Sequence, residues 1–304
     1  MPQYNYFLVD VFTEQAFGGN QLAVFTDAKG LDSATMQALA KELNLSETTF
    51  VLPPKNPGHA YWVRIFTPAS EMPMAGHPTV GTSFVLARLK MLDLQGEQLN
   101  VNLEEGVGTI PVSIKLVNGL PGLIQMTQPL PAFGAEFTDR ETIARMLSLE
   151  TEDLIENLPV QVVSTGVPFL YVPLKNLQAV KKARLRQDIW QTALQNFDSQ
   201  HVFIFAPEVE TERGTVHSRM FAPALGIAED PATGAASGPL GCYLVQYGVV
   251  PQQAGATHIV SEQGFEIGRP SIIEIEIEKE GDQFKAVRIG GYCHYMGSGS
   301  FELE

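Results

Sequence analysis

Residues 221–245 read FAPALGIAEDPATGAASGPLGCYLV, and an earlier stretch, residues 66–83, reads FTPASEMPMAGHPTVGTS. The later stretch predicts a strand end, then a turn built from Asp230, Pro231 and Gly234. A helix follows, and its first turn carries the small residues Ala235, Ala236, Ser237 and Gly238. A helix start leaves backbone N–H groups without helical partners and has the positive end of the dipole behind them. With nothing bulky to shield them, a carboxylate can dock on the backbone. An ordinary capped helix start meets the same description. The earlier stretch is what gives the later one weight. Phe66, Pro68 and Ala69 match Phe221, Pro223 and Ala224, and upstream Arg64 matches Arg219, all at an offset of 155 residues. After a one-residue gap, Gly76 falls on Asp230, Thr79 on Thr233 and Ser83 on Ser237 at an offset of 154. A third match, SETTFVL from Ser46 against SQHVFIF from Ser199, lies at 153. Three ordered matches at about half the chain length indicate an internal duplication. Two similar halves would point two strand–turn–helix tips toward one shared cleft.

The 304 residues suffice for two domains with cores of their own. A hydrophobic content of 44% with 18% charged residues describes a globular chain. A net charge of −14 argues against nucleic acid or an anionic membrane as partner, while leaving a small acidic substrate open. No apolar run is long enough to span a bilayer, and residues 1–12 read as a strand, not a leader. Cytoplasmic residence is the simplest expectation. The two cysteines, Cys242 and Cys293, have neither metal-ligand nor redox spacing.

Along the chain, residues 4–12 and 22–25 read as strands joined through Gly18 and Gly19, with Asn20 at the turn. A helix is expected over 32–43, a strand from Phe50, and Glu47 at the junction between them. In the second half the matching position is Gln200, so the acid would stand in one half only. A strand over 60–66 leads to the first tip (Gly76, His77, Pro78), and a helix is expected over 79–91. The helix dipole would favour the neutral form of His77. Strands over 99–117 precede the turn at 118–122, which is expected to close the first half. Helices over 140–147, 152–157 and 189–196, a strand pair over 160–174, and strands over 202–206, 272–278 and 286–303 complete the reading.

Nucleotide-binding glycine loops, a G-x-S-x-G elbow and zinc-type histidine spacing are all missing. What remains is a site without cofactor or metal, with Glu47, His77 and Asp230 as acid–base candidates. Proton transfer beside a carboxylate fits those parts, with helix starts stabilising the developing charge.

MAGHPTVG, EDPATG, SETTFV and FGGN together resemble the phenazine-biosynthesis PhzF-like proteins, relatives of diaminopimelate epimerase, from Tyr6 through the closing GYCHYMGSGSFEL. The resemblance implies an α+β fold of two pseudo-symmetric halves, each a small β-barrel around a central helix. They would comprise residues 1–120 with about 292–304, and residues 121–291. A homodimer is implied as well. So is a cofactor-independent isomerase that moves a proton on a small cyclic or unsaturated carboxylic acid, with Glu47 as the single shuttle. His77 and Asp230 would bind substrate and assist, with Asn20, Gly76, Pro78, Thr233, Gly234 and Ala235 as further substrate-binding positions. Epimerase cysteines would fall at Gly76 and Asp230, so two-thiol chemistry is not expected. The phenazine enzyme has a serine five residues after the tip aspartate; here that residue is Ala235. A catalytically silent binding or regulatory protein of the same fold is the alternative. A two-base epimerase fits less well, since Gln200 supplies no base.

Overall fold

The computed structural model describes residues 2–303. The chain divides into two compact units, Met1–Thr127 with Gly290–Glu304 (unit 1) and Gln128–Ile289 (unit 2). Both mix many strands with few helices, an α+β architecture. Among the described residues no helix is long and apolar enough to cross a membrane.

In unit 1, β1 (Gln3–Val11) and β2 (Asn20–Phe25) are antiparallel, with Val11 opposite Asn20. The turn between them requires glycine at position 19. Its φ is +62°, and a Cβ there would lie 2.2 Å from the Val11 carbonyl oxygen. α1 (Ser33–Leu43) is capped by Asp32, which accepts from the Thr35 N–H at 2.8 Å. Its Met36, Leu39 and Ala40 pack on Phe25, Phe50 and Phe66. β3 (Glu47–Leu52) runs parallel to β2, and β4 (Tyr61–Phe66) antiparallel to β3, with β5 (Glu71–Met72) on its flank.

Next comes α2 (Gly76–Arg88), three residues earlier than expected, so that Gly76, His77 and Pro78 form its first turn. Proline is tolerated there because its missing N–H had no helical partner to lose. Residues 76–87 of α2 are all buried, surrounded by β1, β2, β3 and β7 (Gly108–Val117). A helix covered all round is the core of its unit. β6 (Gln98–Glu105) lies parallel to β4 and pairs with β7, which turns through Asn118 and Gly119 into β8 (Leu120–Gln128). Both turn residues have positive φ, 53° and 74°, as a two-residue hairpin demands. The turn at 118–122 is therefore a hairpin within unit 1, and the division falls at the end of β8.

Unit 2 opens with β9 (Ala132–Glu136), α3 (Arg140–Met146), β10 (Gln161–Ser164) and β11 (Pro168–Pro173). The helix expected over 152–157 is a single 3₁₀ turn, Thr151–Asp153. Beyond it Leu154 bridges to Leu174 and the Ile155 N–H donates to Pro173, so strand contacts take the backbone groups a helix would use. Then follow α4 (Leu177–Lys182), which the sequence reading missed, α5 (Gln187–Leu194), β12 (Val202–Ala206), β13 (Val216–Ala222) and β14 (Ile227–Asp230). Ile143, Val180 and Leu194 of the three helices cover Leu170, Val172, Val202 and Ile204 on the sheet. α6 (Gly234–Gln246) is the buried axis of this unit, packed against β10, β11, β15 (Ala256–Gln263) and β16 (Ser271–Glu280). β17 (Gln283–Gly291) leads to β18 (Cys293–Glu302), which pairs antiparallel with β1 and completes unit 1.

Local geometry repeats from one unit to the other. Arg64 makes a paired contact with Glu71 at 2.7 and 2.6 Å, and Arg219 does the same with Glu229 at 2.8 and 2.7 Å. The Ser83 hydroxyl donates to the Thr79 carbonyl, as Ser237 does to Thr233. The ladders also correct the alignment of the tips. Ile65 faces Met72 and Met220 faces Asp230, so Met72, not Gly76, occupies the strand position of Asp230. Between the following proline (Pro73, Pro231) and the matched threonine, unit 1 has four more residues, because the offset falls from 158 to 154. Those residues form the extra helical turn that carries His77.

Candidate active site

Three candidates meet in unit 1. Asn20 opens β2, Glu47 opens β3, and His77 sits in the first turn of α2. Strand and helix are held in register by a buried hydrogen bond of 2.8 Å between the Thr49 and Thr82 hydroxyls. His77 Nε2 lies 3.1 Å from Glu47 Oε2, and Asn20 Nδ2 lies 3.2 Å from His77 Nδ1. The amide NH2 can only donate, so Nδ1 accepts and the neutral ring carries its proton on Nε2, beside the carboxylate. Burial pushes the His77 pKa down to about 3, which keeps the ring neutral. Burial is the cause, and the ring also stands in the first turn of α2, as expected from the sequence. Glu47 keeps some access to solvent, its side chain 13% exposed. Gly76 and Pro78 flank His77 and are buried with it.

Unit 2 gathers Asp230, Thr233 and Gly234. Thr233 Oγ1 donates to Asp230 Oδ2 at 2.5 Å. Gln263, absent from the sequence reading, clips the turn from both ends of its amide. Nε2 donates to the Asp230 carbonyl and to Thr233 Oγ1, while Oε1 accepts from the Thr233 N–H. Gln128 donates to the Gly234 carbonyl and accepts from Thr165. Ala235 follows as the second helical residue. Ser237 does not stand in for the missing serine; it is buried, with its hydroxyl bonded to Thr233.

The ladders place another residue that sequence matching passed over. Thr48 faces Phe66, and Val202 faces Phe221. Since Phe66 and Phe221 correspond, the place of Glu47 in unit 2 belongs to His201, not Gln200. A one-residue slip moves a side chain to the other face of a strand. Burial lowers the pKa of His201, so this ring too favours its neutral form. Only the ladder finds it: the matched serines lie 153 apart and the matched phenylalanines 155, whereas these strand positions correspond at 154.

Both cysteines are far from thiolate chemistry: burial pushes the thiols of Cys242 and Cys293 well up. Among the described residues no group of three or more His, Cys, Asp or Glu is placed to hold a metal ion.

Comparison with known proteins gives a consistent picture. Residues 9–299 match the family described as phenazine biosynthesis-like protein. An uncharacterized isomerase of Clostridium acetobutylicum is 36% identical over 95% of both chains. The trans-2,3-dihydro-3-hydroxyanthranilate isomerase of Pseudomonas fluorescens is 36% identical over 99% of this chain and all of its own. The crystal structure of a PhzF-family phenazine biosynthesis protein from Bacillus anthracis superimposes with a TM-score of 0.90 at 29% identity, covering both chains fully.

Proposed function

Because this chain belongs to the phenazine biosynthesis-like family and is an isomerase, we propose that it moves a proton between carbons of a small cyclic or unsaturated carboxylic acid. Glu47 is the single shuttle. Its carboxylate takes the proton from a carbon activated by the neighbouring unsaturation, and the resulting acid returns it to a second carbon of the same π-system. The neutral His77, with its proton on Nε2, donates to the oxygen on which negative charge develops. Nothing is oxidised, and no group other than the proton moves. The observation that carries this reading is the juxtaposition of Asn20, His77 and Glu47. The Asn20 amide is bonded to His77 Nδ1 at 3.2 Å, and Nε2, with no hydrogen-bond partner of its own among the described residues, stands 3.1 Å from the part-exposed Glu47 carboxylate. For Asp230 we propose substrate binding with assistance to the proton transfer, and for Asn20, Gly76, Pro78, Thr233, Gly234 and Ala235 substrate binding. We likewise propose a cytoplasmic homodimer, which would sediment at twice the chain mass.

The test is incorporation of deuterium from D2O into a panel of small unsaturated carboxylates that includes trans-2,3-dihydro-3-hydroxyanthranilate, followed by NMR. Enzyme-dependent exchange at carbon in one member is the expected result. A member that binds while all its C–H bonds stay intact would overturn the reading.

A further inference from the structure

Beneath the turn that presents His77 lies a carboxyl group with no part in the proposed reaction. Glu105 ends β6 and is 3% exposed, with Oε1 2.6 Å from Thr79 Oγ1. The same hydroxyl lies 2.7 Å from the Ala75 carbonyl oxygen. A hydroxyl has one proton to donate, and a carbonyl can only accept. If Thr79 donates to Ala75, the short contact with Glu105 is satisfied only by a proton on Glu105.

Two further observations agree. Glu105 Oε2 is buried without a hydrogen-bond partner, and no cation is paired with this carboxyl among the described residues. A buried anion in that setting is costly, whereas a neutral acid leaves only a carbonyl oxygen unsatisfied. Unit 2 meanwhile places a permanent donor at the same ladder position. Trp62 faces Glu104 on β4 and β6, as His217 faces Glu262 on β13 and β15, so Glu105 corresponds to Gln263. Gln263 Nε2 donates to Thr233 Oγ1 at 2.9 Å, and that hydroxyl donates onward to Asp230.

We propose that Glu105 is a positioning residue: as a neutral acid it donates to Thr79, fixes the first turn of α2 and so presents His77 to Glu47. The link to His77 rests on the proposed function; the protonation of Glu105 does not. Burial raises its pKa to about 8, and this holds even with Thr79 counted as a donor to the carboxylate, a smaller effect in the opposite direction. The charged groups around it leave that direction intact. Glu104, beside it on β6, is bound by the Lys55 and Asn56 N–H groups and approached by His59. Of the other charged groups lining the adjoining cavity of about 400 Å³, Arg64 and Glu71 are bonded to each other and the Lys55 ammonium lies over the Trp62 ring. At its first turn α2 offers the neutral His77, while its one charged residue, Arg88, is in the last turn and lies over the Tyr295 ring; Gly108 opposite on β7 carries no charge.

The test compares thermal unfolding of the native chain, Glu105→Gln and Glu105→Ala across pH, together with D2O exchange using trans-2,3-dihydro-3-hydroxyanthranilate as probe. Folded Glu105 keeps a proton that the unfolded chain releases between about pH 4.5 and 8. The Tm of the native chain is therefore expected to fall relative to Glu105→Gln across that window and to run parallel above it. Other titrating groups cancel in the comparison. In the exchange assay, Glu105→Gln should rescue the turnover that Glu105→Ala loses and should lack the alkaline limb of the native chain, which falls about tenfold per pH unit above the Glu105 pKa. A Tm difference independent of pH would overturn the protonation. A pH-dependent difference accompanied by identical alkaline limbs would overturn the positioning of His77. Should the native chain leave the probe untouched, it is the proposed reaction that fails, and the Tm series still decides the state of Glu105.

Discussion

Asn20 and burial together set the tautomer and charge of the His77 ring. Because Nδ1 accepts from the Asn20 amide, the ring has one proton to offer, on Nε2, where Glu47 stands 3.1 Å away. Because burial pushes the pKa to about 3, the ring is neutral throughout the physiological range. Protonation would require acid well below the usual imidazole range. A pH–rate profile is therefore expected to show no inflection near the ordinary histidine value of about 6.5. Such an inflection, abolished by His77→Asn, would show that the charged ring takes part. Removing the Asn20 donor with Asn20→Ala withdraws one hydrogen bond worth about 1 kcal/mol, roughly a fivefold loss in kcat. Glu47 and His77 were legible in the sequence because each stands in a distinctive motif. His201, Gln263 and Glu105 were not, because their significance lies in which residue faces them across a ladder.

At the scale of elements, the buried helix α2 explains why a glycine stands mid-helix at position 81. A Cβ there would come within 2.6 Å of both Leu22 Cδ2 and Val11 Cγ2. The helix thus lies close against β1 and β2, the strands that deliver Asn20. Gly81→Ala is expected to destabilise the protein by about 1–3 kcal/mol through overpacking, despite the better helix propensity of alanine. Denaturant unfolding with an unchanged or raised midpoint would contradict that packing. The sequence placed the start of this helix at Thr79, reading Pro78 as part of the preceding turn. Proline inside a first turn costs no hydrogen bond, and that is how four additional residues could lengthen α2 by a turn. The helix expected over 152–157 failed for the opposite reason, since its backbone groups bind the end of β11 and the segment just after it.

For the molecule as a whole, the duplication was legible because identical residues recur in order, and the Arg64–Glu71 and Arg219–Glu229 pairs show what they do. Its register was not, because letter matching cannot see that strand positions correspond at 154 rather than 153. The copies have also diverged in charge. Unit 2 buries His217 between Glu262 and Glu266, at 3.0 and 2.9 Å, where unit 1 has Trp62. Burial alone would lower the pKa of His217, but the two carboxylates outweigh it and push the value up to about 9. A raised folded-state pKa means stability that is present below the unfolded value of 6.5 and lost as pH rises through 9. Thermal stability is expected to decline across that window, and Glu266→Gln, which removes one carboxylate partner, should move the decline to lower pH. A curve unshifted by that variant would contradict the assignment. In the proposed reaction Glu47 alone carries the proton. The most direct measurement is the rate of deuterium exchange from D2O into the turned-over carboxylate, in the native chain beside Glu47→Gln. The expected loss is about 10²–10⁴-fold with binding of the carboxylate retained; exchange at the native rate in Glu47→Gln would contradict the claim.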